Sequence, residues 1–92
     1  MRTMIRRTVY YSGHVQGVGF RATAHHLARG FHVAGYAKNL DDGRVEVVAE
    51  GEPDEVRRFL DTLAQAMGRH IRETTSHDSP AIGEFNAFEV HH

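Results

Sequence analysis

An α+β sandwich, with an antiparallel sheet covered on one face by two helices, is the fold class predicted by three observations. Strand-period and helix-period segments alternate along 92 residues, a length that supports one small domain, 1–92, around a single core. Val56, Phe59, Leu60, Leu63 and Met67 recur at i, i+3, i+4, i+7 and i+11, the apolar stripe of an amphipathic helix. Asp42-Gly43 stands between two β-rich segments, the strongest short hairpin signal.

The elements follow in order. Met4–Ser12 is rich in β-formers (Ile5, Thr8, Val9, Tyr10, Tyr11) and is the first predicted strand. Phe20, Ala24, Leu27 and Ala28 predict a helix from about Phe20 to Arg29, ended by Gly30 as a C-cap. A second strand is expected at about His32–Lys38, then the Asn39–Gly43 turn, then a third strand at Arg44–Glu50, closed by Gly51. There Val45, Val47 and Ala49 alternate with Arg44, Glu46, Val48 and Glu50, which predicts one covered and one wetter face. Pro53, Asp54 and Glu55 suit the first turn of the second helix, and Gly68 is expected to stop it. A short strand at about Ile71–Thr75 and a last one at about Phe85–Val90 flank a polar loop with Pro80 and Gly83. The resulting order, β-α-β-β-α-β with a short extra strand in the last connection, is the ferredoxin-like split βαβ arrangement.

Between the first strand and the first helix lies Gly13-His14-Val15-Gln16-Gly17-Val18-Gly19-Phe20-Arg21, with three glycines in seven positions. A strand, a glycine-rich turn and a helix N-terminus together make an anion cradle, because backbone N–H groups there lack intrahelical partners and the dipole favours negative charge. Arg21 falls in the first turn, where a cation is mildly unfavourable for the helix, so it is a candidate for binding the anion itself. The same glycines also suit a tight connection needing positive φ, and composition leaves both readings open. The stretch has no Gly-Lys-Ser/Thr ending and lacks the glycine spacing of a dinucleotide site. Because a crossover helix joins the first two strands, they run in the same direction. Asn39, at the end of the second, therefore shares one end of the sheet with the glycine loop. On its own it reads first as a turn residue; beside the loop it can also serve as an amide that orients water next to a bound anion.

Gly13-x-Val15-Gln16-Gly17-Val18-x-Phe20-Arg21 resembles the signature loop of the acylphosphatase family at seven named positions, and Gly35-Tyr36-Ala37-Lys38-Asn39, Gly43-x-Val45 and Gly51 resemble its second signature. The resemblance covers essentially the whole chain. It implies hydrolysis of carboxyl phosphate mixed anhydrides to a carboxylate and inorganic phosphate, without metal or cofactor. It also implies roles by position. The backbone amides of Val15, Gln16, Gly17, Val18, Gly19 and Phe20 hold phosphate oxygens, Arg21 binds the phosphate, and Asn39 orients the attacking water. The expected partners are a small acyl phosphate and phosphate, acting on a cytoplasmic monomer. His14 departs from the family, many of whose members carry arginine there. A neutral histidine would weaken the local positive field and make binding pH-dependent. Tyr11, where relatives more often have an aliphatic residue, is expected to pack in the core.

Composition argues against other classes. Twelve acidic residues against 11 basic give a net charge of -1, so no global field suggests nucleic acid. The absence of cysteine removes disulfides, thiol nucleophiles and thiolate metal sites. No apolar stretch is long enough to span a bilayer, and Met1–Ile5 lacks the apolar centre of a signal peptide. The eight histidines show no metal-ligand spacing, since His25 and His26 point about 100° apart on a helix. Ser12 has no Ser-His-Asp context, and Arg57 and Arg58 read as a solvated face. The alternative function is a non-catalytic phosphate- or carbamoyl-phosphate-binding regulatory module of the same fold, as in larger hydrogenase maturation proteins. RNA binding would need stacking aromatics on the open face and a basic patch.

Overall fold

The computed structural model describes residues 3–92. Strand β1 (Ile5–Gly13) leads through the glycine loop into helix α1 (Phe20–Ala28). Strands β2 (Ala34–Asn39) and β3 (Val45–Gly51) form a hairpin, helix α2 (Pro53–Met67) follows, and β4 (Ile71–Pro80) and β5 (Phe88–His91) complete the chain. The five strands lie in the order β4-β1-β3-β2-β5. β3 is antiparallel to both β1 and β2, so β1 and β2 point the same way with β3 between them, as the ferredoxin-like arrangement requires. Among the described residues no helix is long and apolar enough to cross a membrane.

The core lies between the helices and one face of the sheet. Phe20, Ala24 and Ala28 of α1 and Val56, Phe59, Leu60, Leu63 and Met67 of α2 meet Val9, Tyr11, Ala37, Val45, Val47, Ala49 and Phe88 from the strands. All five residues of the predicted α2 stripe are buried. Phe59 is fully enclosed, its ring 5.3 Å from that of Phe88 and 6.1 Å from that of Phe31. Burying such a side chain contributes about 1.5–3 kcal/mol.

Several boundaries differ from the sequence expectation, each for a long-range reason. β4 runs ten residues, not five, and Pro80 ends it instead of lying in the loop. It is an edge strand, exposed from Arg72 to Asp78, so it carries no apolar alternation to betray its length. What defines it is the ladder with β1, from Ile5↔Pro80 to Gly13↔Ile71. The short strand is instead the last one, and it pairs parallel with β2, so the sheet is mixed and not wholly antiparallel. β2 begins at Ala34, because the His32 N–H donates to Glu55 Oε1 at 2.9 Å and not to a ladder. Neither Gly30 nor Gly68 caps its helix in the left-handed conformation. α1 tightens instead, the N–H groups of Arg29, Gly30 and Phe31 donating to the carbonyls three residues back, and α2 runs on into a 3-10 turn, Gly68–His70.

The wetter face of β3 is also partly covered. Val48 and Glu50 are buried, and the segment before β5 folds over Glu50. The Glu50 carboxylate accepts from the Ile82 N–H at 2.9 Å, the Gly83 N–H at 3.0 Å and Arg6 Nε at 2.8 Å. Burial disfavours its charge, but these donors outweigh that effect and hold its pKa below the usual glutamate value. A depressed folded-state pKa means that the stabilisation is complete above the unfolded value of about 4.5 and is lost as pH falls through the lower folded value. Glu50→Gln should cost about 2 kcal/mol at pH 7, the scale of hydrogen bonds to a charged group. Urea unfolding at pH 7 and pH 3 checks this, and the difference between variant and wild type should shrink at the lower pH.

Candidate active site

The glycine loop is fixed at both ends by side chains driven into the core. Val15 is fully buried, and Phe20 packs its ring 4.9 Å from Tyr11, itself 2% exposed. Burial pushes the Tyr11 phenol pKa up, so this ring is a neutral floor beneath the loop, as the core expectation for Tyr11 requires. Between these anchors Gly17 and Gly19 stand at φ +77° and +78°, a conformation costly for residues with a Cβ. A Cβ at either position would meet nothing within 4 Å, so the constraint is backbone conformation and not space. Gly19 is the residue before α1, and its carbonyl accepts the first helical bond, from the Thr23 N–H at 2.9 Å.

This conformation leaves donors without acceptors. The His14 N–H donates to the His70 carbonyl at 2.9 Å, whereas among the described residues no protein acceptor takes the N–H groups of residues 15–20. A run of that kind is stabilised by solvent or an anion. Val15, Gly17, Gly19, Phe20, Arg21 and Ala22 line a cavity of about 300 Å³ together with Asn39, Val90 and His92. The parallel ends of β1, β2 and β5 thus bring Arg21 and Asn39 to one cavity, although they stand 18 positions apart in the sequence. Gln16 and Val18 do not line it. Val18 packs against the core.

The Gln16 side chain has another task. Its Nε2 donates to the carbonyls of Leu40 at 2.8 Å and Arg44 at 2.9 Å, clipping the glycine loop to the β2–β3 turn that follows Asn39. That turn is closed by Leu40 N–H to the Arg44 carbonyl and by Arg44 N–H to Asp42 Oδ1. Arg21 is half-buried, and its Nη1 donates to the His91 carbonyl at 3.0 Å and contacts His92 Nδ1 at 3.3 Å. Its Nε and Nη2 have no partner among the described residues. Asn39 likewise has none for its side-chain amide. His14 is exposed beside His70, ring centroids 6.4 Å apart, and does not line the cavity.

A family model described as Acylphosphatase matches residues 7–90. The chain belongs to the acylphosphatase family. It is 51% identical over 71 residues to the acylphosphatase of Corynebacterium efficiens, covering 77% of this chain and 72% of that one. It is 37% identical over 91 residues to that of Marinobacter nauticus, covering 98% and 99%. The crystal structure of acylphosphatase from Bacillus subtilis superposes with a TM-score of 0.84 at 27% identity, covering 96% of this chain and 99% of that one.

A larger cavity of about 590 Å³ lies at the other end of the sheet, lined by Ala34, Glu50 and Phe88 with His25, Arg29 and His32. It lacks the loop's run of free N–H groups, so size does not decide the site. Sequence reasoning missed Val90, His92 and the side chain of Gln16. Gln16 reaches its partners across 24 and 28 residues, and β5 reaches the cavity only through its parallel pairing with β2; neither leaves a local pattern. Gln16→Ala should lower stability by about 1–2 kcal/mol, the worth of two hydrogen bonds, and should weaken phosphate binding while leaving Arg21 in place. Thermal unfolding with and without phosphate measures both effects.

Proposed function

We propose that this chain hydrolyses acyl phosphates, holding the phosphoryl group on the N–H groups of Val15, Gln16, Gly17, Val18, Gly19 and Phe20 and on Arg21, with Asn39 orienting the attacking water. Family membership supports the reaction. The observation that carries the assignment of roles is the run of unpartnered N–H groups at 15–20, four of whose residues (Val15, Gly17, Gly19 and Phe20) line the same cavity as Arg21 and Asn39.

An acyl phosphate carries a good leaving group, so catalysis needs mainly positioning and charge stabilisation. Backbone donors and the planar guanidinium fork hold the phosphate oxygens by charge-assisted hydrogen bonds. The Asn39 amide accepts from a water placed opposite the carboxylate. Water oxygen bonds to phosphorus, the bond from phosphorus to the acyl oxygen breaks, and the carboxylate leaves with the electron pair. The water proton passes to a phosphate oxygen, so no side chain is required as a strong base. The same reading has the protein act as a cytoplasmic monomer without cofactor, on a small substrate and not on nucleic acid or a membrane. The near balance of charge supports a small-molecule substrate.

Benzoyl phosphate hydrolysis with chelator present tests this reading. Arg21→Ala should lose activity by about 10²- to 10³-fold, the effect of removing one preorganised charge-stabilising donor, and should bind phosphate weakly. Asn39→Ala should lose turnover while phosphate still inhibits at nearly the wild-type concentration. Equal loss of phosphate affinity in both variants would contradict the division of roles. A folded wild type that binds phosphate but leaves benzoyl phosphate intact would support the binding module instead.

A further inference from the structure

His92 directly follows the last strand and continues its alternation into the cavity. Successive side chains of a strand point to opposite faces, and Val90 and His92 line the cavity. The intervening His91 stacks on Tyr36 on the other face, ring centroids 4.4 Å apart, with its Nε2 2.9 Å from Glu89 Oε1. His91 is also opposite Lys38 of β2. Arg21 of α1 and His92 are the only ionisable side chains among the residues lining this cavity. The ring of His14 faces His70 outside it.

The contact between the two has a required direction. A guanidinium has donors and no acceptor, so His92 Nδ1, 3.3 Å from Arg21 Nη1, is the acceptor. Accepting there requires a lone pair on Nδ1, which the imidazole ring offers only with its proton on Nε2. A protonated ring could not accept that bond and would place a second positive charge in a cavity of about 300 Å³. An anion between the two offsets that repulsion.

We propose that His92 is a second, proton-dependent ligand of the anion in this cavity: it holds Arg21 when the cavity is empty and, on taking up a proton, turns its Nδ1–H to the bound phosphoryl group. The inference rests on the phosphoryl-binding role given above to the loop and Arg21. Anion binding and proton uptake then promote each other, because the coupling between two ligands is reciprocal. The proton comes from solvent, no covalent bond changes, and imidazole is the side chain suited to this exchange near neutral pH.

Sulfate is the probe, since it stays a dianion throughout the range in which imidazole titrates and phosphate does not. Its binding is measured by calorimetry from pH 8 to pH 5.5, in two buffers of different ionisation enthalpy. Wild type should bind sulfate about tenfold more tightly at the lower pH, within the range typical of coupled sites, with net proton uptake. His92→Asn retains an acceptor for Arg21 but cannot be protonated. It should match wild type at pH 8, show a flat pH profile and take up no proton, whereas His14→Asn should keep the wild-type profile. A pH dependence that survives in His92→Asn overturns the proposal, as does a flat wild-type profile with sulfate binding still dependent on Arg21. Loss of sulfate binding by His92→Asn at pH 8 as well as pH 5.5 also overturns it, since that marks a structural role. Wild type that binds no sulfate at any pH overturns the phosphoryl pocket itself.

Discussion

Three strand ends meet at one end of this sheet because β1, β2 and β5 all run in the same direction, antiparallel to β3. The chemistry depends on that alignment. β1 delivers the glycine loop, β2 delivers Asn39 and β5 delivers the carbonyl that holds Arg21. The alignment itself rests on the α1 crossover, whose Phe20, Ala24 and Ala28 are buried against the sheet. A hydrophobic stripe on a nine-residue helix therefore sets the geometry of a polar cavity.

Within that frame the loop is a compromise between packing and donation. Val15 and Phe20 are anchored by burial, which fixes where the intervening peptide groups point. Gly17 and Gly19 take positive φ, so the N–H groups of residues 15–20 turn away from protein acceptors. Such orphaned donors cost free energy unless something accepts from them. The helix dipole and Arg21 add positive potential at the same place, so the group best suited to accept is an anion. Gln16 holds the loop against the turn after Asn39, coupling the two halves of the site by two hydrogen bonds and not by sequence neighbourhood.

What could be read from the sequence is what local pattern encodes. The α2 stripe shows in the spacing of Val56 to Met67, and the loop shows in its glycines and the arginine after Phe20. Asn39 was legible because a crossover connection dictates strand direction. The full length of β4 was not, since an exposed edge strand needs no apolar alternation and is defined by its partner. Nor was the burial of Glu50, whose partners Ile82 and Gly83 lie 32 and 33 residues away. The contact of Arg21 with the end of β5 spans 70 residues, and only the assembled sheet contains it.

The most direct test of the central claim is to hydrolyse benzoyl phosphate with this protein in ¹⁸O-enriched water and to weigh both products. Attack by a water aligned opposite the leaving carboxylate places the label in inorganic phosphate and leaves benzoate unlabelled. Label in benzoate would mean attack at the carbonyl carbon, and would contradict an arrangement in which the loop, Arg21 and Asn39 act on phosphorus.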